Sequence, residues 1–256
     1  MIAHLCMYDR PETAAANDRL WSAIRAQLGF GPETLTRDAD VWEVWQSSDL
    51  LLSQTCGMPF RTRLYDKVQL VGSPDYGLPG CPPGHYCSVF VAHKDREDTP
   101  LSGFDRGCFA YNEALSQSGW AAPINHMSPL GISPGSLLES GGHQNSALAV
   151  AEGRADFASL DALTWELIRK HDDFAADLVE ITRTEPTPVL PYITANGRDA
   201  GELFAAIETA IVGLDDSDKQ ALHLRGITTI SAADYLAVPT PIGPALMMHQ
   251  KQISAK

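Results

Sequence analysis

The feature that most narrows the fold of this chain is an alternation of strand and helix patterns that runs twice, each run closing on an extended stretch, around residues 86–95 and 186–195. Residues 2–8 (IAHLCMY) form an apolar run, and Pro11 then opens a helical stretch with Leu20, Trp21, Ile24 and Leu28 on one face. Residues 49–53 (DLLLS) are apolar without alternation, as in a strand covered on both faces, and end in the polar cluster Ser53-Gln54-Thr55-Cys56-Gly57. Strand patterns at 67–72 and 86–93 are parted by a loop dense in Pro and Gly. The alternation then restarts: a strand at 108–111, a helix through Ala121 to Met127, an extended piece at 136–140, a helix at 145–152, a strand at 155–160 and a helix to about Lys170. Strands at 178–184 and 189–194 precede helices at 200–212 and 217–224, and the tail from Val238, with Pro239, Pro241 and Pro244, reads as irregular.

This order predicts an α/β fold of two lobes, each a mainly parallel sheet flanked by helices. Two changeovers imply that the chain leaves one lobe, builds a second and returns, so residues 1–90 with 190–256 form a discontinuous first lobe and 91–189 the second. The changeovers are then two hinge crossovers, near 90–95 and 186–195, with a ligand cleft expected between the lobes beyond the carboxyl ends of strands.

Composition excludes some functions. The 256 residues carry 19 Lys+Arg against 32 Asp+Glu, a net charge of -13, and 44% are hydrophobic, too apolar for a disordered chain. An acidic chain is a poor partner for nucleic acid or an anionic membrane, which need cationic surface to displace counterions. A small anion is a different matter, because backbone N–H groups and hydroxyls at a helix start hold it without any basic residue. No apolar stretch approaches the roughly 18 residues of a membrane-spanning helix. The first residues show no basic region ahead of an apolar run, so the expected location is cytoplasmic, or periplasmic if a signal has been removed from the N-terminus. Five cysteines, Cys6, Cys56, Cys81, Cys87 and Cys108, read as reduced thiols, with Cys81 and Cys87 the one pair spaced for a local disulfide.

The strongest chemical signal is Tyr111-Asn112-x-x-x-Ser116-Gln117-Ser118-Gly119 between a short strand and a helix. Ser and Asn there cap the helix and turn early N–H groups and hydroxyls toward the strand end, an anion site; the same residues also serve as a plain cap. Glu113 is expected to point away from such a site. In Ser140-Gly141-Gly142-His143 a His at a helix start stays neutral, able to bond a ligand oxygen or to serve structure alone. Asp161 at the next strand end is a ligand residue or a helix cap. Tyr8 and Ser53, Gln54 and Thr55 occupy the corresponding strand ends of the first lobe. Cys56 beside Gly57 sits where helix starts lower a thiol pKa, but no His adjoins it. The remaining histidines lack metal-site spacing, so neither a metal nor a cofactor is expected.

Taken together, DLLLSQTCGMP (49–59), FAYNEALSQSGW (109–120) and SGGHQNSALAVAEGRADFASLDALTW (140–165) resemble the phosphate/phosphonate-type substrate-binding proteins of ABC transporters. The resemblance implies the type 2 periplasmic-binding-protein architecture, a small phosphate- or phosphonate-like ligand and an ABC permease as partner. It maps the anion-gripping turn onto Ser116, Gln117, Ser118 and Gly119, a ligand-contacting His onto His143 and an acidic contact onto Asp161. First-lobe contacts fall on Tyr8, Ser53, Gln54 and Thr55. The turn departs from consecutive Ser/Thr hydroxyls by Gln117 between two serines. The same two-lobed fold also carries cytosolic lyases resembling those of the alternative menaquinone pathway, in which His143 would be the base, and cytosolic ligand sensors.

Overall fold

The computed structural model describes residues 1–254, which divide into two compact units: Met1–Tyr86 with Thr187–Ala237, and Cys87–Pro186 with the tail from Val238. Unit 1 begins with β1 (Ile2–His4), α1 (Ala14–Leu28), α2 (Val41–Trp45), β2 (Leu50–Gln54), α3 (Gly57–Pro59), β3 (Val68–Asp75) and β4 (His85–Tyr86). Unit 2 follows with β5 (Ser88–His93), β6 (Cys108–Tyr111), α4 (Ala122–Met127), β7 (Ser136–Glu139), α5 (His143–Ala151), β8 (Phe157–Asp161), α6 (Ala162–His171) and β9 (Leu178–Arg183). The chain returns to unit 1 as β10 (Thr187–Pro188), β11 (Tyr192–Ala195), α7 (Ala200–Gly213), α8 (Asp216–Leu222), β12 (Gly226–Thr228) and α9 (Ala232–Ala237), and ends in unit 2 with α10 (Pro244–Ser254).

In unit 1 the sheet order is β1-β2-β11-β3-β12. The residues 50–54 are all buried, as their unbroken apolar pattern requires of a strand with both faces covered. Trp45, Leu50, Phe60, Ile193 and Tyr235 form its core, and Trp21 is buried as well, with Trp42 edge-on to Trp45 at 5.0 Å. These tryptophans therefore build the interior. Tyr235 joins three segments: its hydroxyl meets Ser73 Oγ and the Val189 carbonyl, each at 2.7 Å. Tyr235→Phe strands that carbonyl and hydroxyl away from water, so we expect a loss of about 1–3 kcal/mol. Urea titration should show a lower midpoint at unchanged slope.

Unit 2 is built on the order β7-β6-β8-β5-β9, over a core of Phe90, Phe104, Phe109, Trp120 and Phe157. Here β6 runs parallel to both β7 and β8, which aims their carboxyl ends, and the turns that follow, at one edge.

Several expectations are corrected. The sheets are mixed rather than mainly parallel, because β5 and β11, the strands that follow the changeovers, run antiparallel to both of their neighbours. Residues 90–93, expected in a hinge, lie in β5, which is held between β8 and β9 in the middle of the sheet. The chain passes between units at 86/87 and 186/187, and the short strands β4 and β10 pair antiparallel there. It crosses a third time at 237/238, so residues from 238 onward belong with unit 2 rather than the first lobe. That tail is also not wholly irregular: Pro244, tolerated in a first helical turn, opens α10. Cys81 and Cys87, the one pair open to a disulfide among thiols expected to be reduced, are not joined by a disulfide.

Candidate functional site

The turn after β6 folds as its serines dictate. Ser116 Oγ accepts the N–H of Gly119 at 2.9 Å, and a helical run follows, a wide π-type turn over Gln117–Ala121 leading straight into α4. Early N–H groups of a helical run have no intrahelical acceptor, and they carry its positive end. Gly119 lets Asn112 come close: a Cβ at this position would lie 1.9 Å from Asn112 Oδ1 and would push that side chain aside. That oxygen is itself buried without a hydrogen-bond partner.

A second turn, after β7, is fastened to the first. The amides of Ser140 and Gly141 donate to the carbonyls of Tyr111 and Asn112, each at 2.9 Å. Gly141, at φ 81°, supplies the left-handed residue, and Ser140 Oγ contacts Ser146 Oγ at 2.7 Å. The result delivers His143 to the first turn, with its Nε2 2.9 Å from Ser118 Oγ. Burial holds this imidazole far below its ordinary range, at about 4, against a smaller opposing effect of the Ser159 backbone. The ring is therefore neutral at physiological pH. In the tautomer with hydrogen on Nε2 it donates to Ser118 Oγ, and the Ser118 O–H is left to donate to a third group.

Ser159 was missed by the sequence reading. Its hydroxyl, fully buried on β8, donates to the Ser118 carbonyl at 2.8 Å and fixes the turn from below. The available signal was the period-2 pattern, which puts Ser159 on the same side of the strand as Asp161. Asp161 itself caps α6, its Oδ1 accepting from the amides of Leu163 and Thr164 at 2.8 and 3.0 Å. Tyr111 is committed as well: it pairs with Glu139 across β6 and β7, and its hydroxyl donates to Glu139 Oε2 at 3.2 Å. Burial first, and then Glu139, raise the Tyr111 phenol to about 12, and the same two causes raise the Glu113 carboxyl.

The unit 1 candidates gather in the interior of their own unit. Gln54 Nε2 donates to Tyr76 Oη and the Leu190 carbonyl, both at 2.9 Å, and Tyr8 meets the Tyr76 ring edge-on at 5.3 Å. Ser53 Oγ contacts His4 Nδ1 at 3.3 Å, and Thr55 Oγ1 is buried without a hydrogen-bond partner. The structure thus brings Asn112, Ser116, Ser118, Gly119 and His143 together, with Gln117 buried in the same turn. Among the described residues no group of three or more metal-ligating side chains occurs.

The neutral histidines make stability pH-dependent in a stated direction. Burial also lowers the pKa of His4, so the unfolded chain takes up protons below about 6.5 that the folded one refuses at both rings. Stability is therefore full above that pH and falls as the pH drops toward 4, by up to about 1.4 kcal/mol per pH unit for each proton. Denaturation midpoints between pH 7 and 5 should show this slope, and His143→Gln should reduce it.

Comparison with known proteins bears on this arrangement. A family model described as "ABC transporter, phosphonate, periplasmic substrate-binding protein" matches residues 66–236, more than half of the chain. No curated protein sequence matches the chain. Among solved structures, PhnD1 from Prochlorococcus marinus in complex with methylphosphonate is similar at a TM-score of 0.69 and 15% identity, over 100% of this chain and 98% of that one. A binding protein component of an ABC phosphonate transporter from Pseudomonas aeruginosa gives 0.67 and 15%, over 99% and 93%. MatC from Rhodopseudomonas palustris with bound malate gives 0.57 and 13%, over 100% and 97%. At these identities the similarity is one of fold.

Proposed function

Because this chain belongs to the periplasmic substrate-binding family of phosphonate ABC transporters, we propose that it holds a small phosphonate-like oxyanion at the start of its helical run 117–127 and passes it on unaltered to an ABC permease. One observation carries the assignment of the site: a buried Ser118 hydroxyl held by a neutral imidazole, at the positive end of a helical run and with no cation in the turn. A tetrahedral oxyanion offers the acceptors that such donors lack. A neutral site also suits the net charge of -13, since local dipoles rather than the protein's overall field hold the ligand.

Binding without turnover is proposed on family membership. Asp161 Oδ1 serves as the α6 cap, and His143 is bonded to a serine in the binding turn. Tyr8, Ser53, Gln54 and Thr55 stay assigned to ligand contact on the resemblance alone, and single alanine variants decide each. Asp161 and Tyr111, each with a structural bond of its own, stay candidates for ligand contact, as does Asn112 beside Gly119. Family membership favours action in the periplasm over the cytoplasm, which cell fractionation decides. No helix among the described residues is long and apolar enough to cross a membrane.

The test is calorimetric titration with methylphosphonate, inorganic phosphate and malate, followed by recovery of the ligand. Saturable binding of a phosphorus oxyanion, recovered unchanged, is the expected result. Malate binding without either phosphorus oxyanion, or a ligand recovered transformed, overturns the reading.

A further inference from the structure

We propose that the tail from Val238 is a brace that positions the oxyanion turn, acting through Trp120 and Asn125. The proposal rests on the site assignment above, and it starts from where the chain goes after α9. The tail crosses into unit 2 and runs along the helix that grows out of the binding turn. Trp120 sits inside the turn, one residue past Gly119, and is wholly buried. Its indole Nε1 donates out of the turn to the Ile242 carbonyl at 3.0 Å. One helical turn on, Asn125 Nδ2 donates to the Pro239 carbonyl at 2.8 Å. Both anchors thus reach main-chain carbonyls in the segment 238–243, where two prolines, Pro239 and Pro241, stiffen the chain.

The way the tail packs shows that it is more than an extension of the core. Between the tail, α4 and the residues after α4 lies a cavity of about 490 Å³, lined in part by Ile124, Met127, Ile132, Ile242 and Met247. Met247 packs against the core cluster beside this space. Hydrogen bonds from Trp120 and Asn125, together with Lys251 Nζ to the Pro134 carbonyl, tie the tail to unit 2 at three points. A side chain that is both in the turn and fastened to the tail fixes the rotation of the turn about its axis. That rotation decides where the Ser118 hydroxyl and the early amides aim, and a shift of a fraction of an ångström at such donors weakens binding.

Trp120→Phe keeps an aromatic ring but removes the donor together with the five-membered half of the buried indole, and Asn125→Ala removes the second anchor at a half-buried position without touching the core. Two readouts are taken on the full chain. Amide hydrogen exchange at 116–121 without ligand should rise about tenfold in Trp120→Phe, while exchange in α1 and β2 stays unchanged. Affinity for methylphosphonate should fall about tenfold in the same variant, and several-fold in Asn125→Ala. Ile168→Ala, a cavity in the second half of α6, is the control: it lowers the melting temperature of the same unit and should leave both readouts alone. If exchange at 116–121 is unaltered in Trp120→Phe, or Ile168→Ala weakens binding equally, the brace is overturned. If the unaltered protein binds no oxyanion at all, the site assignment fails, and the exchange experiment still decides the brace by itself.

Discussion

Ser118→Ala weakens binding of methylphosphonate by about ten- to a hundredfold and leaves the melting temperature within a few degrees of its original value. The expectation follows from what the hydroxyl does in the ligand-free protein. Losing its bond to His143 Nε2 removes one tie among several, because the turn is already held by other contacts. These are the Ser116 cap on Gly119, the Ser159 hydroxyl on the Ser118 carbonyl and the two amide bonds between the turns. Stability therefore depends little on Ser118 Oγ. A charged ligand oxygen, by contrast, loses a donor that water cannot replace inside the site, and hydrogen bonds to charged groups are the stronger kind. Calorimetric titration of the variant beside the unaltered protein measures the ratio. An affinity change below about twofold would sink the assignment of the turn as the anion site.

Gly135→Ala should cost about 3 kcal/mol or more of the stability of unit 2. Two backbones meet at this glycine ahead of the parallel pair β6 and β7. The Arg106 amide donates to the Ser133 carbonyl at 3.0 Å, and the Gly135 amide donates to the Gly107 carbonyl at 2.9 Å. A Cβ on residue 135 would lie 2.0 Å from the Arg106 carbonyl oxygen, and neither partner can yield as a side chain would. Arg106 is already at φ 63°, a left-handed conformation that leaves its backbone little room to retreat. Separating the two segments pulls β7 from its register with β6, where Cys108 faces Ser136 and Tyr111 faces Glu139. The Ser140 and His143 turn hangs from the far end of β7, so ligand affinity is lost along with stability. Urea denaturation checks the first effect; a midpoint unchanged from that of the original protein would show that the backbones do not approach as closely as described.

Much of the candidate site was legible because its residues act locally. A Ser three residues before a Gly, after a short apolar strand, encodes its own cap, and that cap forms whatever the rest of the chain does. The doubled glycine before His143 likewise announces a turn. Asp161 was legible to a lesser degree: its position at a strand end was right, but a helix cap and a ligand residue are written with the same letter. Ser159 stood unmarked, since its bond to the Ser118 carbonyl spans 41 positions and exists only once β8 lies under the turn.

Alternating strands and helices, the buried strand 50–54 and the capped turn at 116–119 were therefore determined by the sequence, because hydrophobic periodicity and capping are set within a few residues. Strand direction was decided only by the tertiary structure. An apolar run such as 88–93 has the same period whichever way it runs, and its antiparallel place between β8 and β9 depends on partners some 70 to 90 positions away. The tail is the sharpest case. Its prolines foretold a stiff, extended entry, but joining unit 2 is a choice between surfaces, made by the Trp120 indole and the Asn125 amide finding its carbonyls.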